Sequence, residues 1–548
     1  MSPRLRFFLI VFLYLIPTFG FTQEDCWFYL RAKSESFNPA FETSAEGNLK
    51  YVGGDVKLKN VLDTYEIYQF KKTQRNTNNE TRHKTFFVRA NDEALLLDLL
   101  LRTNHVFYEG EVLSAEDKKI FEPNDYGLTS TIGENLGFQV NLDYLDFLGL
   151  PKAWYYTTGN RDFIVGISDG IIDTTSQDFK GKSKIITKSN LANGHGYSIS
   201  SIAAAQGDNA YGVPGVCYDC SVYSTNYGDF NKFGMLKELS DMGVKVINCS
   251  WSAAIYKESA EKVVDEMFDN GTILVATSGN KDHRKTKGKI ITYPASYDHV
   301  ISVSSGMYKY EKPWDNMGID KNGNYGATNI RGYVGRSLGF KNNDTLVEPH
   351  VWPISIATLN KDVDILAPTA GVFLYSHSRL KDTLVSNRFE TTSSAAPLVT
   401  GTIALMYSLN PCLPHDEVES IIKMTAMNVD HLEGNKPYKG LYGAGMLQTG
   451  DAVEMVYKLY MPKETAYIED QQFDRWDFKL TALSDKVVMQ NQKFTDSSTL
   501  KLTARRQIVL KPGTILRPNS GGKISMKIDD DLEKECDLVL RDPSIVND

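Results

Sequence analysis

This 548-residue sequence has few of the features that announce a specialised architecture. Its six cysteines, Cys26, Cys217, Cys220, Cys249, Cys412 and Cys536, are too few for a disulfide scaffold at this length. There is no long basic run, and 60 Lys plus Arg against 68 Asp plus Glu leave a net charge of −8. Nucleic acid is thereby excluded as the main partner. No apolar stretch after residue 25 approaches the ~20 residues of a membrane helix. No tandem repeat or low-complexity tract stands out, and collagen, coiled coil and multi-span membrane architectures are excluded. What is present is ordinary globular composition, 42% hydrophobic and 23% charged. That is enough chain to bury several cores without metal or disulfide staples.

The one long apolar run opens the chain. Arg4 and Arg6 precede FFLIVFLYLIPTFGF, the pattern of a secretory signal peptide, and Gly20 and Thr22 allow cleavage before Gln23. A single membrane anchor is the competing reading, disfavoured by Pro17 and the polar residues that follow. Export of a secreted or surface-associated product is expected, with no membrane span after cleavage. Export also permits disulfides. Cys217-Tyr-Asp-Cys220 is the only close pair, read as a small local disulfide or two free thiols. A redox pair or half a zinc site are the other readings, and no second CxxC or finger-like His pair supports zinc.

Three textures follow the leader (1–22). Residues 23–121 carry strand candidates at Tyr65–Phe70 and Lys84–Val88 and a helical pattern at Asp92–Leu101, a small α+β unit. Residues 122–460 alternate helical patterns, such as Lys257–Asn270, with continuous apolar runs at Phe163–Ile167, Val244–Asn248, Thr272–Ala276 and Val300–Val303. Fully buried parallel strands read that way, so an α/β fold with a parallel sheet flanked by helices is expected. Residues 461–548 turn β-rich, with Thr499–Thr503, Ile508–Leu510 and Ile524–Ile528 separated by Pro512-Gly513 and Gly521-Gly522. A small C-terminal β domain is expected there.

Three segments of the α/β region carry chemistry-bearing side chains. Ile164-Val-Gly-Ile-Ser-Asp169-Gly-Ile-Ile-Asp173 delivers an acid at the carboxyl end of a strand, where open α/β sheets collect ligands. Gly194-His195-Gly196 precedes small and apolar residues, which puts His195 in the first turn of a tightly packed helix. The helix dipole favours neutral imidazole there unless a carboxylate restores its basicity. Glu390-Thr-Thr-Ser393-Ser-Ala-Ala-Pro397 opens a small-residue helix whose N-terminal N–H groups suit an oxyanion. Each has a bland alternative taken singly: a turn-capping Asp, a structural His, an ordinary Ser N-cap.

Together these segments resemble the active-site blocks of the subtilisin-like serine peptidases, or subtilases: an Asp block with a second acid four residues on, HGTxVAG and GTSMAxP. The order Asp169, His195, Ser393 matches the family order. Ala276-Thr-Ser-Gly279-Asn280 is similar to the oxyanion-hole block, and Val246-Ile-Asn248-Cys-Ser250-Trp251-Ser252 to the substrate-cleft strand. The resemblance implies Ser393 as nucleophile, His195 as general base, Asp169 as its orienting acid and Asn280 as an oxyanion donor. It also implies Ser250, Trp251, Ser252 and Gly279 as substrate-binding residues, and a polypeptide substrate. It casts residues 23–121 as a propeptide acting as an intramolecular inhibitor and cut near Glu122, with a retained N-terminal domain as the competing reading. Tyr197, Ser252, Thr391 and Ser394 depart from the family pattern; Tyr197 is expected to crowd the His helix and Ser252 to narrow or polarise the primary specificity pocket. The alternative reading is a catalytically impaired subtilase-like peptide-binding protein; an acyl transferase and an adhesion protein stand behind it. The chemistry needs no cofactor and no catalytic metal. A surplus at 306–360 reads as an insertion, where Asp315, Asp320 and Asp344 are candidates for a structural calcium, with a solvated loop as the competing reading.

Overall fold

The computed structural model describes residues 25–45, 47–72, 84–115, 117–126, 142–191, 194–209, 211–281, 289–311, 329–335, 357–369, 391–543 and 545, with six short strands between 317 and 386. The leader, Asp315, Asp320, Asp344 and Glu390 lie outside the described residues. The chain divides into two compact units, 1–73 with 80–118, and 74–79 with 119–548.

In the first unit, strands β1 (Cys26–Ala32), β2 (Ile67–Lys72), β3 (Thr85–Ala90) and β4 (Phe107–Val112) form an antiparallel sheet in the order β2-β3-β1-β4. β1 buries every second residue, from Cys26 to Ala32, as a half-covered strand should. The sheet is accompanied by α1 (Val56–Leu62) and α2 (Ala94–Arg102). Asp55 caps α1 by accepting from the N–H groups of Lys57 and Leu58.

The second unit is built on a seven-stranded sheet. Its strands are β5 (Ile164–Asp169), β6 (Ser183–Ile185), β7 (Ser221–Asn226), β8 (Val246–Cys249), β9 (Ile273–Thr277), β10 (Val300–Gly306) and β11 (Ile365–Pro368). They run parallel in the order β11-β10-β9-β8-β5-β7-β6. Both faces are covered, which is why the strands read as unbroken apolar runs. One face, with Val246 and Val275, packs on α3 (Leu150–Tyr156), α4 (His195–Ala204), α7 (Ala396–Leu409), α8 (His415–Met424) and α9 (Thr449–Tyr460). The other, with Ile247, Leu274 and Ala276, packs on α5 (Gly234–Asp241) and α6 (Glu258–Asp269). Within the surplus segment, Met317–Ile319 pairs antiparallel with Tyr325–Ala327, and Phe340–Lys341 with Thr345–Leu346. No described helix is long and apolar enough to cross a membrane.

The C-terminal part is β-structure, as the sequence predicts, and it is organised as a repeat that no tandem pattern in the sequence announces. Nine strands form three parallel three-stranded sheets, and successive strands belong to successive sheets. Thr465–Glu469, Gln472–Phe473 and Asp477–Ala482 make the first rung; Lys486–Gln490, Lys493–Asp496 and Thr499–Ala504 the second; Ile508–Leu510, Ile515–Pro518 and Ile524–Ile528 the third. This is a three-sided β-solenoid. Register stacks Ala466 on Val487 on Ile508, Phe473 on Phe494 on Leu516, and Leu480 on Leu502 on Met526. The first rung sits on α8 and α9: Leu483 and Ser484 donate to the Leu459 carbonyl, and the buried Glu417 carboxylate accepts from Thr481 N (3.0 Å) and Oγ1 (2.6 Å). The solenoid thus shares the core of the parallel-sheet unit.

Two disulfides form. Cys217–Cys220 is local, as one reading of that pair anticipates, and Cys412–Cys536 spans 124 residues. The second pins a terminal strap, in which Val539 N donates to Leu409 O (2.8 Å) and Arg541 N to Tyr156 O (2.7 Å).

Candidate active site

The sheet places Asp169 as the last residue of β5, buried, and α4 begins at His195. The helix N-terminus comes against the strand end because residue 196 is glycine: a Cβ there would lie 2.1 Å from the Gly170 carbonyl oxygen. His195 Nδ1 is then 2.7 Å from Asp169 Oδ1, which also accepts from Gly170 N (2.6 Å). Burial works against the imidazolium, but the hydrogen bond and charge of Asp169 outweigh it and hold the His195 pKa above its ordinary value. The carboxylate needed to offset the helix dipole is therefore in contact with the ring.

Ser393 lies in a 3₁₀ turn, Thr392–Ser394, one step ahead of α7, so the helix starts later than the sequence suggests. This turn contacts the His helix. Thr391 caps the turn in extended conformation with φ −100°, so nothing there demands the family's glycine. Its carbonyl accepts from Ser394 N (3.1 Å) and Ser394 Oγ (2.9 Å), which gives the serine after Ser393 a structural partner.

A buried polar chain fixes this turn to the sheet. Ser393 Oγ donates to the Ser250 carbonyl (3.2 Å), and Ser250 Oγ donates back to the Ser393 carbonyl (2.9 Å). Ser250 Oγ accepts from Asn248 Nδ2 (2.9 Å), and Asn248 Oδ1 accepts from Thr400 Oγ1 (3.2 Å). The Ser250 side chain thus faces the serine turn. Asn248 was not singled out from the sequence; the available signal was one amide inside an apolar strand.

Asn280 is exposed beside the same turn. Its Oδ1 accepts from Thr392 N (2.9 Å) and Thr392 Oγ1 (2.8 Å). A backbone N–H only donates, so this contact fixes the amide orientation and leaves Nδ2 as the outward donor. Thr392 Oγ1 also touches Thr277 Oγ1, and the latter accepts from Gly279 N (3.3 Å). Gly279 has φ +100°, where an L side chain is strained, and a Cβ there would sit 3.2 Å from Thr358 Oγ1 and 3.8 Å from Ser252 Oγ. Ser252 is exposed, its hydroxyl near Gly279, where Thr358 presents its hydroxyl and Thr292 its methyl group.

Trp251 is anchored: Nε1 donates to Ser168 O (3.0 Å), and the ring meets Phe230 and Phe233 edge-on. Residues 250–252 follow β8, and the chain pairs again at Ala253 with Tyr293. Tyr197 is buried edge-on against Phe179, so its bulk fills the core instead of crowding the His helix. Asp173 binds its own turn through Thr175 N (2.8 Å).

Among the described residues no three His, Cys, Asp or Glu side chains cluster as metal ligands. Two buried carboxylates are incompletely satisfied. Asp125 and Asp178 are buried, and each has one oxygen without a hydrogen-bond partner. Burial pushes both up to about 7. Neither was identified from the sequence, because an acid in a loop reads as solvated until the fold buries it.

The subtilase family profile, Peptidase S8, matches residues 160–445. The chain is 26% identical over 219 residues to the thermophilic serine proteinase of Bacillus sp. strain AK1, covering 36% of this chain and about half, 52%, of that protein's length. It is 26% identical over 305 residues to subtilisin DY of Bacillus licheniformis, covering 53% of this chain and 90% of that protein. Among solved structures, the prenylagaramide maturation protease PagA is 22% identical, covers 56% of this chain and 98% of its own, and has a TM-score of 0.40. The profile spans more than half of the sequence and contains Asp169, His195, Ser250, Asn280 and Ser393: the chain belongs to the subtilase family.

Proposed function

We propose that this protein is an exported serine endopeptidase acting through Asp169, His195 and Ser393. The observation that carries the reading is His195 Nδ1 held 2.7 Å from a buried carboxylate, on a helix in contact with a serine turn at another helix N-terminus. Asp169 fixes the tautomer that leaves Nε2 as the base. The Ser393 hydroxyl rotates from the Ser250 carbonyl toward that nitrogen, gives up its proton and attacks a peptide carbonyl. The oxyanion takes hydrogen bonds from Ser393 N–H and Asn280 Nδ2, whose orientation Thr392 has already set. The proton passes from His195 to the leaving amine, and water then hydrolyses the acyl-enzyme. Substrate backbone would pair along residues 250–252, with a side chain directed at the gap between Ser252 and Gly279.

On this reading residues 1–22 are the leader and residues 23–121 an inhibitory propeptide. A structural divalent cation would bind the free oxygens of Asp125 and Asp178, neutralising two buried charges and taking no part in the reaction. The test is to incubate residues 23–548 with a peptide mixture and weigh the products. Paired fragments summing to substrate plus water are expected, and none from Ser393→Ala. Peptide retained intact by the folded, processed protein would instead establish the non-hydrolysing, peptide-binding alternative.

A further inference from the structure

The solenoid is finished at one end only. Its first rung is covered by α8 and α9, and the inward-facing residues of its first two rungs are all buried, from Ala466 and Phe473 to Leu502 and Ala504. The same columns continue into the third rung as Ile508, Leu510, Leu516, Ile524, Met526 and Ile528. There the covering thins: Ile508, Leu516 and Ile524 are half-buried, while Leu510 is 49% exposed, Met526 37% and Ile528 44%. A stacked repeat normally closes such a column with a polar cap. Each third-rung strand is also the outermost in its sheet, so a full edge of backbone N–H and C=O groups faces outward.

The rim has one sign. Between residues 505 and 528 there are six Lys or Arg and no Asp or Glu, in a chain whose net charge is −8. Lys511, Arg517, Lys523 and Lys527 are exposed. The acidic run that follows leaves Leu510, Met526 and Ile528 exposed. Asp529 pairs with Lys527 (2.6 Å), and the chain then returns toward α7, where Cys536 is bonded to Cys412.

We propose that the third rung is a docking surface for an acidic, extended segment of another protein, which adds a fourth rung by strand pairing. The apolar column end, the unpaired backbone edge and the basic rim are each complementary to such a segment. A second copy docking head to head would set the cations Lys511, Arg517 and Lys523 against their own copies. Insertion into lipid would place the unpaired backbone edge in hydrocarbon.

The probe is a fluorescent peptide with the second-rung sequence, residues 486–504, carrying K486E, K493E and K501E. The receptor is residues 23–548 with Ser393→Ala, so that any hydrolysis cannot consume the probe. Saturable binding is expected, weakened about tenfold by ~0.5 M salt and about tenfold by Met526→Lys in the receptor. The unsubstituted lysine peptide should bind about tenfold more weakly than the glutamate form. Met526 is exposed, so an unchanged melting temperature verifies that the variant folds. Equal affinity for both peptides, indifference to Met526→Lys, or no binding up to about 100 µM overturns the proposal. So does a Met526-dependent dimer, or Met526-dependent capture by anionic phosphatidylglycerol vesicles, in the absence of peptide binding. None of these outcomes depends on whether the site hydrolyses peptides.

Discussion

In the seven-stranded sheet, parallel neighbours are reached mostly through helical crossovers that cover both faces, whereas the solenoid returns to the same sheet after 21 to 24 residues without a helix. The difference decides where each region is free to meet other molecules. With both faces of the large sheet buried, only its strand ends and loops are left, and Asp169, Ser250 and Asn280 all lie there. The solenoid hides its interior along its length and exposes it only at its last rung.

The first way to break this comparison is to separate the two regions. Deleting residues 461–548 removes the donors of Thr481 from Glu417, a buried carboxylate whose pKa burial already raises. It also removes the Trp476 ring that lies 4.5 Å from the buried Lys423 ammonium. Unpairing one buried charge costs about 3–5 kcal/mol, so the truncated protein should lose its cooperative thermal transition. A folded truncation with an unchanged transition would make the solenoid a passenger.

Within the sheet region, Asp169→Asn should lower kcat/KM on the order of 10⁴-fold, because the amide stabilises the wrong imidazole tautomer. Its wild-type counterpart should lose activity on the acid side at a pH above the ordinary 6.5 of histidine, since Asp169 favours the imidazolium and only the neutral ring acts as base. Asn280→Leu should cost on the order of 10²–10³ in kcat with little change in KM, a donor being lost where charge develops. Steady-state assays over pH check both.

How much of this was legible in the sequence follows from the same contrast. Strands buried on two faces appear as apolar runs, so β5, β8, β9 and β10 were found within two or three residues, and the site segments stand at their ends. The solenoid was read only as β-rich. Its repeat resides in a few inward columns such as Ala466, Val487 and Ile508, while outward residues vary and the rungs differ in length. Distance in sequence hid other partners: Cys412 and Cys536 are 124 residues apart, and the burial of Asp125 and Asp178 depends on the assembled fold.

The smallest expected effect concerns that acidic pair. Asp125 and Asp178 rise from an ordinary 3.8 to about 7, so between those values the folded state holds protons that the unfolded state has released. Their contribution to stability is complete below about pH 4 and declines as pH rises to about 7. In a chelator, the melting temperature should fall over that interval; excess calcium should flatten the fall. A calcium-independent profile would contradict the cation assignment.

The central claim is an activated serine at position 393. Residues 23–548 and the Ser393→Ala variant should be treated with a fluorophosphonate probe and mapped by mass spectrometry. The account predicts a single adduct on Ser393, absent from the variant, on protein that has lost roughly the mass of residues 23–121. A folded, processed protein left unlabelled at Ser393 would contradict it.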